Sequence, residues 1–140
     1  MERIVVGVDG SEVGRGALRW AVDEARRRNA TVEVVYAWHQ PFVTGYASMG
    51  EMDLGPFEEE ARRLLDAAVD SVDVSGVPAV ERKLVTGGAA GVLVEEAKGA
   101  AMLVVGSRGR GGFTGLTLGS VSQQAAHHAP CPVVIIPPAA

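Results

Sequence analysis

The residues most able to do chemistry lie in a glycine-rich stretch late in the chain, GSRGRGGFTGLTLGS, residues 106–120. Six of these fifteen residues are glycine, and the stretch ends on Ser120. Glycine lets a ligand approach the main chain, but each glycine loses extra conformational entropy on folding, so such a cluster is unfavourable without a function. If a helix begins at Ser120, its free N–H groups and the positive end of its dipole would favour a phosphate group.

Side chains beside this stretch could add to phosphate binding. Ser120 and Ser122 offer hydroxyl donors at the start of the expected helix. Arg108 and Arg110 could supply positive charge, or they could be solvated loop arginines, as surface arginines often are. The hypothesis therefore depends on the glycines and serines, and neither arginine is essential to it.

A second set of polar residues, Asp9, Gly10 and Ser11, follows the first apolar run of the chain. Apolar residues at helical spacing come next, which is typical of a strand, a turn and a helix. Asp9 could accept hydrogen bonds from a ligand, or it could cap the helix, because Asp and Ser are good N-caps. Both roles could hold together.

Histidine and cysteine indicate no further site. His127 and His128 are adjacent, so they do not share a helix face as metal ligands would, and at a helix C-terminus they suit the dipole. Cys131 precedes an apolar strand with no identifiable base beside it, which indicates packing and not a nucleophile. A single cysteine excludes an internal disulfide, and no Cys/His spacing matches a zinc site.

Composition limits the class of protein. A chain of 140 residues suits one domain over residues 1–140, and 47% hydrophobic with 21% charged residues is globular composition. The net charge of -4 and the pI near 5.3 argue against a nucleic-acid partner. The start lacks the pattern of a signal peptide, and no apolar run is long enough for a membrane span. A cytoplasmic protein with no membrane partner is expected.

Hydrophobic periodicity predicts an alternation of strands and helices. Strands are expected at residues 4–8, 31–38, 79–85, 102–105 and 133–136. Helices are expected up to Asn29, from Phe57 to about Val72, over 89–99 and over 120–128, with residues 40–56 as a loop. Such alternation predicts a parallel sheet covered on both faces, a three-layer α/β/α fold. If the first and fourth strands are neighbours, as in the order 3-2-1-4-5, Asp9 and the glycine-rich stretch meet at the carboxyl edge of the sheet.

Two common phosphate motifs are absent. A Walker loop needs GxxxxGK[ST], but Gly115 and Gly119 are too close and no lysine precedes Ser120. A dinucleotide fingerprint needs GxGxxG after the first strand, but Gly14 and Gly16 are followed by Arg19 at the third glycine position. P-loop ATPases and NAD-binding enzymes of the common type are therefore disfavoured.

The spacing that does match is Gly106-x2-Gly109-x9-Gly119-Ser120. With it, the chain resembles the universal stress protein family, in its ATP-binding subclass, over essentially its whole length. The segments IVVGVDGS, VVGSRG, LGSVS and CPVVII carry the resemblance. It implies an adenine nucleotide α-hydrolase-like fold, with a five-stranded parallel sheet in the order 3-2-1-4-5.

The resemblance also implies a site for ATP or another adenine nucleotide. Asp9 and Gly106 would contact the nucleoside, with the backbone near Val8 and Ala37 flanking the adenine. The phosphates would be held by the glycine-rich stretch and the helix start, namely Gly109, Gly119, Ser120, Val121 and Ser122, and Arg108 could add positive charge beside them. Mg2+ would bridge the phosphates, because hard ions often bind through nucleotide oxygens. No dedicated protein cage for a metal is visible in the sequence.

The expected function is that of a cytoplasmic ATP-binding regulator of the stress response and not a dedicated enzyme, because no positioned lysine or base–nucleophile pair is evident. The resemblance implies a homodimer that pairs through residues 133–136, an apolar edge that invites pairing. One alternative is an adenylating or slow ATP-hydrolysing enzyme of the adenine nucleotide α-hydrolase group, although DGSEVG stands where such enzymes carry a motif resembling SGGxDS. Another is a nucleotide-free dimeric scaffold, which the intact glycine motif argues against.

Overall fold

Strands and helices alternate along the chain as the periodicity predicts, in a computed structural model that describes residues 1–38, 55–108 and 119–139. The strands are β1 (Arg3–Val8), β2 (Thr31–Trp38), β3 (Val80–Thr86), β4 (Met102–Gly106) and β5 (Val133–Ile136). The helices are α1 (Glu12–Arg28), α2 (Gly55–Asp70), α3 (Ala89–Glu96) and α4 (Ser120–His128). All paired strands are parallel, in the order β3-β2-β1-β4-β5, which confirms the predicted topology.

Several element bounds differ from the sequence expectation. Helix α2 begins at Gly55, two residues before Phe57, because Pro56 is tolerated in the first turn of a helix, where its missing N–H is not needed. Helix α3 ends at Glu96, before residue 99; Ala97 is its C-cap, and Gly99 has a φ of 77° that a helix does not accept. Of the expected loop at residues 40–56, residues 40–54 lie outside the described part of the chain.

Helix α1 begins and ends as its sequence indicates. Ser11 is its N-cap, and the Ser11 side chain accepts a hydrogen bond from the Gly14 N–H. Asn29 takes the left-handed conformation with φ 55° and ψ 44°, and its N–H donates to the carbonyls of Ala25 and Arg26. The basic residues of the last turn oppose the negative end of the dipole, as expected for a helix end.

The hydrophobic core lies on both faces of the sheet. Helices α1 and α2 cover one face, where Leu18, Val22 and Leu65 pack on strand residues such as Ile4 and Val34. Helices α3 and α4 cover the other face, where Leu93 and Ala125 pack on Val5, Val35 and Leu103. Alternate residues of each central strand thus enter opposite layers, which gives the predicted three-layer α/β/α arrangement. None of the helices in the described ranges is long and apolar enough to cross a membrane.

A group of charged side chains, here called the Glu33 cluster, lies on the α3 face of the sheet and consists of Arg3, Glu33, Lys83 and Glu96. The Glu33 side chain is only 3% exposed, and its Oε2 accepts a 2.8 Å hydrogen bond from Arg3 Nη1. Lys83 Nζ lies 3.3 Å from Glu33 Oε1 and 3.2 Å from Glu96 Oε2. Arg3 also donates to the carbonyls of Glu96 and Lys98, at 2.9 and 2.6 Å, which fixes the end of α3 on the sheet.

Burial governs the ionisation of this cluster. Desolvation, followed by the neighbouring Glu96 carboxyl, raises the pKa of Glu33, and Arg3 and Lys83 only partly oppose this. The neighbouring Glu33 carboxyl, and then the hydrogen bond from Lys83, lowers the pKa of Glu96. Lys83 approaches Glu33 Oε1 as an ion pair without a hydrogen bond, so this oxygen is buried with no hydrogen-bond partner among the residues described. The two carboxyls therefore titrate as a pair and not as independent groups.

Candidate functional site

Strands β1 and β4 are direct neighbours, so the two polar segments that follow them meet at the carboxyl edge of the sheet. Their register pairs Ile4 with Met102 and Val6 with Val104, and the same offset places Val8 level with Gly106. In open parallel sheets this edge is where ligands bind, at the point where the strand order reverses. The order β2-β1-β4 puts that point between β1 and β4.

Gly106 is the residue at which the two segments touch. A Cβ atom added to Gly106 would lie 2.6 Å from Cγ1 of Val13, in the first turn of α1, and 3.3 Å from the carbonyl oxygen of Arg108. The first distance is shorter than real Cβ contacts, so Val13 would have to move, and the second is a tight contact with backbone. Gly106 is therefore required by the close approach of α1 to the end of β4.

Asp9 makes hydrogen bonds at the start of α1. Its Oδ1 accepts hydrogen bonds from the Ser11 N–H at 2.9 Å and from the Ser11 hydroxyl at 2.5 Å. The Ser11 hydroxyl in turn accepts from the Gly14 N–H at 3.1 Å. Of the two roles open to Asp9, the capping position itself belongs to Ser11, and Asp9 orients the hydroxyl that caps.

The turn between β1 and α1 is tightly built. Gly10 has a φ of 86°, in the left-handed region, and a Cβ on Gly14 would lie 3.1 Å from Asp9 Oδ1. Glu12 in the first turn of α1 is exposed, and hydrogen bonds from Arg19 and then Arg15 hold its pKa below the ordinary range. The negative charge of Glu12 is thereby neutralised locally at this edge of the sheet.

The start of α4 forms the other side of the candidate site. Gly119 is the N-cap residue, with φ -77° and ψ 169°, and as a glycine it offers no side chain to cap the helix. The first hydrogen bond inside α4 joins the Gln123 N–H to the Gly119 carbonyl at 3.0 Å. The N–H groups of Ser120, Val121 and Ser122 precede it, and such groups have no intrahelical acceptor. Main-chain donors and the helix dipole therefore favour an anion here.

Ser107 connects β4 to this helix start, and sequence reasoning did not single it out. Its carbonyl accepts from the Gly119 N–H at 2.6 Å and from the Ser122 hydroxyl at 3.1 Å, while its own N–H donates to the Ile136 carbonyl at 2.8 Å. Ser107 is 5% exposed. The only sequence signal was a small polar residue directly after an apolar strand, which is too common to interpret.

The predicted phosphate-binding serines differ in what they can offer. Ser120 is exposed, whereas Ser122 is 1% exposed and its hydroxyl lies 3.1 Å from the Ser107 carbonyl and 3.0 Å from that of Gly119. A hydroxyl has a single proton to donate, so that of Ser122 is directed at the protein. The role of Ser122 in holding phosphates stays a prediction, and its main-chain N–H is the group that the helix leaves without an intrahelical acceptor.

The other predicted site residues that the structure describes lie on β1, β2, α4 and the end of β4. Val8 is buried in the core, and Ala37, one residue beyond the partner of Val8 on β2, is half-buried. Val121 packs its side chain against the α3–α4 core, and Arg108 is half-buried after β4. Gly109 and Arg110 lie outside the described residues. Within the ranges 1–38, 55–108 and 119–139, no group of three or more His, Cys, Asp or Glu side chains could hold a metal ion.

Comparison with known proteins identifies relatives over the whole chain. The chain is 35% identical over 142 aligned residues to a universal stress protein of Mycobacterium tuberculosis, covering 95% of this chain and 46% of the relative. It is 36% identical to one from Mycolicibacterium smegmatis, covering 96% of this chain and 45% of the relative. The chain thus spans about half the length of the curated relatives it matches.

Solved structures of the same fold include two with bound nucleotides. A universal stress protein in complex with cAMP matches with a TM-score of 0.74 and 28% identity, covering 96% of this chain and 95% of that one. A universal stress protein from Archaeoglobus fulgidus in complex with dAMP matches with a TM-score of 0.72 and 25% identity, covering 97% and 98%. The family model described as "Universal stress protein family" matches residues 1–137. This chain therefore belongs to the universal stress protein family.

Proposed function

We propose that this chain binds an adenine nucleotide at the edge formed by the ends of β1 and β4 and the start of α4. The observation that carries the proposal is the approach of α1 to β4 at Gly106, which brings the Asp9 turn beside the end of β4, on the same edge of the sheet as the start of α4. A carboxylate suits ribose hydroxyls, and a helix start suits phosphates. The cAMP and dAMP complexes of two relatives support an adenine nucleotide as the ligand.

Within this site, each predicted residue has a distinct task. Asp9 and Gly106 contact the nucleoside, the backbone near Val8 and Ala37 flanks the adenine, and the main-chain N–H groups at the start of α4 hold the phosphates. Gly109 and Arg108 complete the phosphate side. ATP is the proposed ligand, and Mg2+ is held by the phosphate oxygens, since hard ions bind nucleotides in this way.

The proposed role is that of a cytoplasmic, nucleotide-dependent regulator of the stress response and not of a dedicated enzyme. The protein acts as a homodimer through β5, whose four residues are all half-buried and which pairs only with β4 among the described strands. An open apolar edge of this kind favours pairing with a second copy. Nucleotide turnover is expected to be far below the median enzyme rate of roughly 10 per second.

The test is a thermal-shift titration of the purified protein with ATP, ADP, AMP and cAMP, together with identification of any nucleotide released on denaturation. At a ligand concentration 100 times the dissociation constant, binding stabilises the folded protein by about 2.7 kcal/mol. Asp9→Ala and Gly119→Asp are expected to abolish the shift and leave the dimer intact.

Matched controls exist for both variants. Asp23→Ala removes an exposed carboxylate in the later part of α1, and Gly91→Asp adds a carboxylate where nothing lies within 4 Å of the new Cβ. Both control variants should show the same nucleotide-dependent rise in unfolding temperature as the wild type. Normal binding by Asp9→Ala and Gly119→Asp would show that the site is misplaced, and no shift with any nucleotide would favour a nucleotide-free scaffold.

A further inference from the structure

The hydroxyl of Ser122 makes a contact that joins two distant parts of the chain. Its oxygen lies 3.0 Å from the carbonyl of Gly119, three residues earlier, and 3.1 Å from the carbonyl of Ser107, fifteen residues earlier. The first contact is the common bond of a serine to its own helix turn. The second is tertiary, because it links the first turn of α4 to the end of β4.

Ser107 is a fixed point on the sheet. Its N–H donates to the Ile136 carbonyl at 2.8 Å, so β5 holds it from one side, and its buried carbonyl receives both the Gly119 N–H and the Ser122 hydroxyl. The start of α4 is therefore attached to the sheet through a single carbonyl oxygen, by the Gly119 N–H and by the Ser122 hydroxyl, whose one proton is shared between this carbonyl and that of Gly119. The Gly119 bond sets where the helix begins, and the Ser122 bond sets how its first turn is rotated.

The rotation of the first turn decides where its free N–H groups point. Ser120 is exposed on the outer side of this turn, while Ser122 is 1% exposed on the inner side. These two residues are separated by about 200° around a helix of 3.6 residues per turn, so one faces the sheet when the other faces solvent. Removal of the inner hydroxyl would loosen the turn without removing any group that faces outward.

We propose that Ser122 is a positioning residue for anion binding at the start of α4, and that its hydroxyl acts on the Ser107 and Gly119 carbonyls and does not contact the ligand. The proposal rests on the proposed nucleotide site. It divides the two serines of this turn by function: the exposed Ser120 can contact the phosphates directly, and the buried Ser122 holds the main-chain donors in place. The affinity for a ligand without a phosphate group should not depend on Ser122.

The experiment compares Ser122→Ala with the pair Ser122→Thr and Ser122→Val. Thr and Val have nearly the same shape, so their difference isolates the hydroxyl even if the added methyl group strains the buried position. Ser120→Ala is the control on the exposed side. Dissociation constants for ATP and for adenosine are measured by calorimetry, and exchange of the Gly119 amide proton is measured by NMR in the nucleotide-free protein.

Loss of one buried hydrogen bond predicts that Ser122→Ala weakens ATP binding by ~10-fold and accelerates Gly119 exchange by ~10-fold, with adenosine affinity unchanged. Ser122→Thr should behave like the wild type in both measurements, and Ser122→Val like Ser122→Ala. Ser120→Ala should change ATP affinity without changing Gly119 exchange in the free protein.

Two results would overturn the proposal. Weaker ATP binding by Ser122→Ala with unchanged Gly119 exchange would mean that the hydroxyl contacts the ligand, and faster exchange with unchanged ATP affinity would mean that its role is only structural. Failure of the proposed function looks different: the wild type would then bind neither ATP nor adenosine, whereas Gly119 exchange would still report whether the Ser122 hydroxyl holds α4.

Discussion

The candidate site at the carboxyl edge and the Glu33 cluster both bring polar groups to the sheet, and they satisfy those groups by different means. At the carboxyl edge, main-chain groups, glycines and short hydroxyl or carboxyl side chains form the contacts, and the N-cap residue of α4 is a glycine without a capping side chain. In the Glu33 cluster, long charged side chains from β1, β2, β3 and α3 neutralise one another. The carboxyl edge leaves main-chain donors available to a ligand, whereas the charged groups of the Glu33 cluster pair with one another.

The two regions are therefore sensitive to different changes, one to added volume and the other to ionisation. Main-chain geometry at the carboxyl edge depends on close approach, so a single added methyl group disturbs it. The Glu33 cluster depends on charge balance in a buried place, so its sensitivity is to ionisation.

The largest effect is expected for Gly106→Ala. The new methyl group would lie 2.6 Å from Val13 Cγ1, and such overpacking should destabilise the fold by about 2 kcal/mol. Gly91→Ala is the matched control, because nothing lies within 4 Å of its Cβ and alanine favours a helix interior; it should stabilise by about 0.5 kcal/mol. Urea unfolding of both variants and of the wild type measures the free energy of unfolding. Equal stability of the two would refute the claim that close approach governs this edge.

A smaller effect is expected for Ser11→Ala. This change removes the hydroxyl that caps α1 and that donates to Asp9 Oδ1, and loss of an N-cap costs about 1 kcal/mol. Ser11→Thr keeps the hydroxyl and should retain most of the stability. Thermal unfolding and nucleotide titration of both variants test whether the cap also orients Asp9. If Ser11→Ala binds nucleotide as tightly as Ser11→Thr, the capping network does not support the site.

The smallest expected effect is a pH slope that Glu33→Gln should remove. The raised pKa of Glu33 contributes stability that is complete below 4.5 and is lost as pH rises through the folded pKa of Glu33. The lowered pKa of Glu96 contributes stability that is complete above 4.5 and is lost as pH falls through the folded pKa of Glu96. The Glu33–Glu96 pair therefore stabilises the folded protein most near pH 4.5. Above this pH the contribution of Glu33 is lost, and below it the contribution of Glu96 is lost.

The measurement is urea unfolding of the wild type and Glu33→Gln from about pH 4 to about pH 8. The wild type should lose stability relative to Glu33→Gln as pH rises from 4.5 towards neutrality, because only the wild type must ionise a buried carboxyl. Parallel profiles for the two proteins would show that Glu33 is not perturbed in this way. Nucleotide affinity should not follow this slope, since the cluster lies outside the candidate site.

The fold could be predicted from the sequence because it rests on local signals. The apolar runs, the helical spacing of residues such as Leu18 and Val22, and the helix end at Asn29 each indicate one element, and handedness rules then limit the topology. Adjacent strand ends place Asp9 near Gly106, as that topology requires. The predicted start of α2 at Phe57 was less accurate, because Pro56 favours a loop although proline also suits the first turn of a helix.

The inner parts of the site and the Glu33 cluster could not be predicted, because they depend on contacts between distant residues. Ser107 and Ser122 are fifteen residues apart, and nothing local shows which serine faces the sheet. Glu33 lies in a strand where a charge usually marks the solvent side, and its burial depends on Arg3 and Lys83 from two other strands. The roles of Gly109 and of the dimer edge remain predictions.

The bond from the Gly119 N–H to the Ser107 carbonyl brings together the two ends of the segment formed by residues 108–118. The sheet itself thus holds the start of α4, through one carbonyl oxygen at the end of β4. A substitution between these two residues should therefore leave the helix start in place.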